Sequence, residues 1–182
     1  GSGFKIAMRD LEIRGAGSLL GSAQHGHMES VGYDLYIKLL NEAILEEKGE
    51  KLPEKTESLV SMKCDAYIPE KYVRSSSQRM ELYKKIASIE EEADLRDVEE
   101  ELYDRFGEPP RAAKNLLYIA YLRALSQTCR FRKVEQKEGT VYIYPEILDF
   151  RIWSALSAEN KKPDAGGKIM ISMGEAPYVS YR

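Results

Sequence analysis

The sequence predicts an α+β fold: a small mixed domain with antiparallel strands and a cluster of helices, preceded by a glycine-rich segment and a helix. Three observations predict it. Period-two alternation occurs near residue 62 and again beyond residue 134, and three amphipathic helical patterns lie between those places. The strands are not separated by single helices, as a regular βαβ array would require. The chain divides accordingly into residues 1–30, residues 31–57 and a larger domain over residues 58–182.

The first part stands apart. From Phe4 to Met28 it holds Gly15, Gly17, Gly21 and Gly26, and its apolar residues follow no sustained period. Glycine suits places where backbone turns sharply or approaches another surface closely, so this segment is expected to pack on a partner. Tyr36, Leu39, Leu40, Ala43 and Ile44 then give helical spacing over Tyr33 to Glu47. Gly49 and Pro53 end that helix and open a polar linker through Glu57.

In the larger domain, Met62, Cys64, Ala66 and Ile68 alternate with polar residues as in a half-buried strand, which Pro69 stops. Ser75, Ser76 or Ser77 can cap a helix from about Gln78 to Ile89, with Leu82, Tyr83, Ile86 and Ile89 on its apolar face. Asp94 opens a third helix carrying Leu95, Val98, Leu102 and Phe106, and Gly107 with Pro109 and Pro110 stops it. Arg111 to Thr128 forms the longest apolar stripe, through Ala113, Leu116, Leu117, Ala120, Tyr121 and Ala124, and is expected to be the central helix. Val134, a turn at Gln136 to Gly139, and Val141 with Ile143 predict a hairpin. Leu148, Ile152 and Leu156 suggest a short helix beside Trp153. After a loop from Pro163 to Gly167 comes a last strand, Ile169 to Met173.

Composition narrows the function. With 43% hydrophobic and 31% charged residues, the chain has the balance of a soluble globular domain. A net charge of −3 provides no overall basic field, so any nucleic-acid contact requires a local cluster. Two cysteines, Cys64 and Cys129, without a CxxC spacing fit a reducing compartment. No stretch approaches the ~20 apolar residues of a membrane span, and Gly1 to Phe4 do not read as a signal peptide. The cytoplasm is the expected location.

Sites of chemistry are few. Arg14 to Gly21 contains a loose glycine repeat, but it lacks the Lys-Ser/Thr ending of a phosphate-binding loop and the spacing of GxGxxG. His25 and His27 flank Gly26 with only Glu29 close in sequence, too small a donor set for a metal site, and no metal is expected. Arg9, Arg14 and Gln24, set among glycines, can reach a partner surface, and a planar guanidinium suits phosphate or carboxylate recognition. Glu90 to Glu108 carries ten acids against two arginines. Such a run repels a duplex; it is either a solvated face or a dock for a basic protein surface. No catalytic residue is assigned.

The run Phe4 to Gly17, with Asp10-Leu11-Glu12-Ile13-Arg14-Gly15-Ala16-Gly17, then Gly21, Gln24 and Gly26, resembles the end of the translocation motif shared by RecG helicases and bacterial transcription-repair coupling factors. Val31 to Tyr36, Ala66 to Tyr72, Gln78 to Lys84 and Asp104 to Gly107 are similar to the latter family. The resemblance implies the C-terminal part of an ATP-dependent double-stranded DNA translocase that links transcription to nucleotide-excision repair. In such a protein Arg14 and Gln24 match the residues that couple the RecA-like motor domains to movement on duplex DNA, with Arg9, Gly15, Gly17, Gly21 and Gly26 as a supporting loop. Residues 58–182 then match a regulatory, autoinhibitory domain that folds against a UvrB-like region and masks the surface recruiting UvrA. Glu99, Glu100 and Glu101 are candidates for that interface. ATP and Mg2+ belong to the parent protein, as does RNA polymerase as a partner; no cofactor is expected in this part. The alternatives are the corresponding region of a RecG-like helicase and an independent enzyme or ligand-binding domain.

Overall fold

A computed structural model describes residues 58–160 and 167–182. The glycine-rich segment with Arg9, Arg14, Gln24, Gly15, Gly17, Gly21 and Gly26, the helix expected at 33–47, its linker, and most of the loop before the last strand lie outside the described residues.

The elements run β1 (Leu59–Ser61), α1 (Ser76–Ala87), α2 (Glu92–Phe106), α3 (Arg111–Thr128), β2 (Phe131–Lys137), β3 (Thr140–Pro145), α4 (Phe150–Glu159), β4 (Ile169–Ser172) and β5 (Tyr178–Tyr181). The strands form one sheet in the order β1-β2-β3-β5-β4. Only β1 and β2 are parallel; the other neighbours are antiparallel, so the α+β expectation holds with one parallel edge.

Helices α1 and α2 begin on side-chain caps. Ser75 caps α1, its hydroxyl accepting from the Gln78 N–H at 3.4 Å. Helix α2 opens with the Asp94 carboxylate accepting from the backbone N–H groups of Glu90 and Glu91, at 3.0 and 2.9 Å. Those two donors hold the Asp94 carboxyl below the usual carboxylate range. At the other end Gly107 adopts φ +81°, a conformation costly for any residue with a Cβ, and gives its N–H to Tyr103. The Tyr72 hydroxyl lies 3.0 and 2.8 Å from the carbonyls of Leu102 and Gly107, and its ring meets Phe106 edge-on. Loop and helix end are thereby fixed together.

Helix α3 spans the predicted residues and is central as expected: it packs against β1 and β2 on one side and α1 and α2 on the other. Leu116 and Leu117 are buried with Leu82, Ile86 and Leu102 from the other helices and Val60 and Val134 from the sheet. Removing this much apolar surface from water is the main force holding the helical layer to the sheet.

Two expectations need correction. The strand read at Met62 to Ile68 lies earlier, at β1, and those later residues form irregular chain. Their alternation is real, since Ala66 and Ile68 are buried, but their backbone bonds go elsewhere. The Tyr67 N–H donates to Ala112, the Ile68 N–H to the Tyr83 hydroxyl, and the Asn115 amide to the Asp65 carbonyl. The short helix expected beside Trp153 is α4, and its Ile152 and Leu156 are 58% and 41% exposed. That helix meets the sheet through Trp153, whose ring is tilted against Phe131 of β2 at 5.8 Å, and through Ser157 and Asn160, which donate to the carbonyls of Ile169 and Gly167 at the β4 edge. Second, the last strand expected from the sequence is followed by another, β5, which inserts between β3 and β4.

The β2–β3 turn is as expected. Glu138 and Gly139 both have positive φ, 49° and 75°, the backbone of the tight two-residue hairpin whose twist matches that of the strands.

Candidate protein-docking surface

Helix α2 turns Leu95, Val98 and Leu102 inward, leaving a stripe at Arg96, Glu99, Glu100, Tyr103 and Asp104 on its outer side. With Glu108 and Pro109 from the loop before α3 and Lys114 from its first turn, that stripe lines an open groove of about 380 Å³. Four carboxylates face two cations in it. One of those cations is committed: Lys114 pairs with Glu108, which raises the Lys114 ammonium above its ordinary value. Arg96 likewise pairs with Glu92 one turn back, at 2.5 Å. The rings of Tyr103 and, on α3, Tyr118 are 57% and 54% exposed. Carboxylates beside exposed rings favour basic side chains of a partner protein, which gain both charge pairing and contact with an aromatic face.

The three glutamates singled out from sequence separate here. Glu99 and Glu100 line the groove. Glu101 instead ties helices together, pairing with Lys85 of α1 and, at 2.5 Å, with Arg105. The Lys85 hydrogen bond is the largest cause holding its carboxyl below the usual range, and Arg105 adds to it.

A second polar cluster went unread in the sequence. On β2, Glu135 is 7% exposed and receives Lys133 at 2.8 Å, Lys137 at 3.0 Å and the Tyr144 hydroxyl at 3.2 Å. These bonds, that of Lys133 first, bring its carboxyl down from 4.5 to about 2 although burial acts the other way. The available signal was charge at every second residue of a strand, Lys133-x-Glu135-x-Lys137, which places all three on one face.

Cys64 and Cys129 are both free; Cys64 is half-buried, and burial raises its thiol. Among the described residues, no group of three or more His, Cys, Asp or Glu side chains is placed to hold a metal ion, and no helix is long and apolar enough to cross a membrane.

Fold and surface define a class: an α+β domain with a helical layer on one side of a mainly antiparallel sheet and an acidic, tyrosine-bearing helix turned outward. Comparison with known proteins gives the family. The profile described as TRCF domain matches residues 62–147. The transcription-repair-coupling factor of Staphylococcus epidermidis is 43% identical over 145 residues, covering 79% of this chain and 12% of that protein. The Bacillus subtilis protein of the same name is 44% identical over 145 residues, 78% of this chain and 12% of that protein. A solved C-terminal domain of a transcription-repair coupling factor superposes with TM-score 0.60 at 26% identity, covering 72% of this chain and 82% of that one. The chain belongs to the transcription-repair coupling factor family, and its fold is that of the family's C-terminal domain. It spans about 12% of the length of the curated relatives it matches.

Proposed function

We propose that this chain is the C-terminal part of an ATP-dependent double-stranded DNA translocase that couples transcription to nucleotide-excision repair, and that its folded domain restrains the parent protein. The observation that carries this reading is the likeness to transcription-repair coupling factors, which extends over more of the chain than the domain profile alone. Residues 58–182 act as a regulatory domain docked on a UvrB-like region of the same protein, covering the surface that recruits UvrA. The outward stripe with Glu99 and Glu100 supports such a dock, since its unbalanced carboxylates and exposed Tyr103 suit a basic partner surface. Glu101 contributes by holding α1 to α2 behind that stripe. Masking of this kind is a coupling free energy between a closed and an open state, typically 1–3 kcal/mol.

The segment ahead of the domain has a different task in this proposal. Arg14 and Gln24, with Arg9, Gly15, Gly17, Gly21 and Gly26 around them, transmit the closure of the RecA-like motor domains to duplex DNA; ATP and Mg2+ bind those motor domains. Side chains on a hinged segment exchange partners as the motor cycles and so relay nucleotide state to the DNA. In full-length protein, Arg14→Ala and Gln24→Ala are expected to retain ATP hydrolysis while losing movement on duplex DNA. Normal movement in both variants would remove the coupling role.

A further inference from the structure

The face of the sheet turned away from α1, α2 and α3 carries a pattern at odds with the acidic balance of the chain. Strand alternation puts Val60, Val134, Ile143 and Val179 on the helical side, so their sequence neighbours point to the opposite face. The register then orders that face in rows. One row joins Ser61, Glu135, Tyr142, Ser180 and Met170 across all five strands. A neighbouring row brings Lys133 beside Tyr144, the lysine ammonium 5.5 Å from the ring centre, with Tyr178 next. The third row runs along one end of the sheet. Lys137 pairs with Thr140 there, while Lys168 and Arg182 exchange both backbone hydrogen bonds, at 2.7 and 3.1 Å, continuing the β4–β5 ladder.

Three tyrosine rings are thus contiguous at the centre, Tyr178 touching Tyr142 at 5.6 Å and Tyr144 at 5.9 Å. Around them stand Lys133, Lys137, Lys168 and Arg182, and Glu135 shares their rows and pairs with the first two. Lys137, Lys168 and Arg182 are exposed. The acids of α2 lie on the far side of the sheet, behind α3. This is the local basic cluster that the net charge of −3 made a requirement for nucleic-acid contact.

We propose that this face binds single-stranded nucleic acid, with unpaired bases on Tyr142, Tyr144 and Tyr178 and backbone phosphates on Lys133, Lys137, Lys168 and Arg182. Aromatic rings on an open sheet recognise unpaired bases because every base has a π-face to stack, and a duplex hides those faces. The cations from β2 to β4 are separated by three strand spacings, about 14 Å, too far to serve one phosphate and suited to a chain of them. A protein partner fits less well, since protein interfaces are depleted in lysine. Glu135 tempers the site by engaging Lys133 and Lys137, so a phosphate competes with it for both.

The test uses the 182-residue chain and fluorescence anisotropy with labelled single-stranded DNA and RNA of about 12 nucleotides, and a duplex of the same sequence. The site predicts binding of single strands at least about tenfold tighter than duplex, weakening as salt rises. Reversing charge with Lys168→Glu and Arg182→Glu together should weaken single-strand binding about tenfold or more. Tyr178→Ala should weaken it at least about fivefold by removing a stacking surface. Glu135→Gln should tighten it, a gain that damage to the fold does not produce. Absence of single-strand binding, duplex binding of equal strength, or unchanged affinity in the charge-reversed protein with its circular dichroism preserved would each overturn the proposal.

Discussion

Glu135 shows how single residues set the electrostatics of this domain. Its carboxyl sits at about 2, held there by Lys133, Lys137 and Tyr144, against an ordinary value of 4.5. A lowered folded-state value means that the stabilisation is complete above pH 4.5 and is lost as pH falls through that value toward 2. The thermal midpoint of the native chain should therefore exceed that of Glu135→Gln at pH 7, with the gap closing below pH 4.5 and gone only once the pH falls below about 2. A gap independent of pH would show that the carboxylate charge is not its source. This cluster was only partly legible in the sequence. Charge alternation places Lys133, Glu135 and Lys137 together, but Tyr144 joins them through hairpin register, and Lys168 and Arg182 come near through a strand that the sequence reading lacked. The glutamate run misled in the opposite sense. Adjacent residues on a helix differ in direction by about 100°, so Glu99 and Glu100 reach the groove while Glu101 reaches Lys85.

Elements with a long, one-sided pattern were the legible ones. The apolar stripe and the double proline before it define α3 at both ends, and the stripe is the buried face. Leu116, fully buried between the sheet and the other helices, makes the element testable. Leu116→Ala should lower unfolding stability by about 2–5 kcal/mol, read as a shift in the urea midpoint. A loss below 1 kcal/mol would mean that α3 is not the centre of the core. Short strands were harder. The alternation from Met62 to Ile68 records burial, which a strand and an irregular segment fixed by Tyr83 and Asn115 satisfy equally well. Strand β5 is only four residues long, and its place depends on pairing with β3 and β4. Helix α4 was legible as a helix, while the side it buries was not: Trp153, Ser157 and Asn160 meet the sheet and Ile152 faces out.

At the scale of the whole molecule the domain has two unlike faces. Acidic helix α2, with its groove and exposed tyrosines, lies on the helical side; the tyrosine and lysine rows lie across the sheet on the other. A partner on the first leaves the second free, so restraint of the parent protein and contact with a single strand are separable. The proposed restraint acts in a protein of the length of the curated relatives, of which this chain spans about 12%. Binding of UvrA to full-length protein measures it most directly, comparing the native form with Glu99→Lys and Glu100→Lys combined. A groove that docks on a basic surface predicts that the reversal loosens the closed state and raises UvrA affinity by about 5- to 150-fold. Unchanged affinity would contradict it.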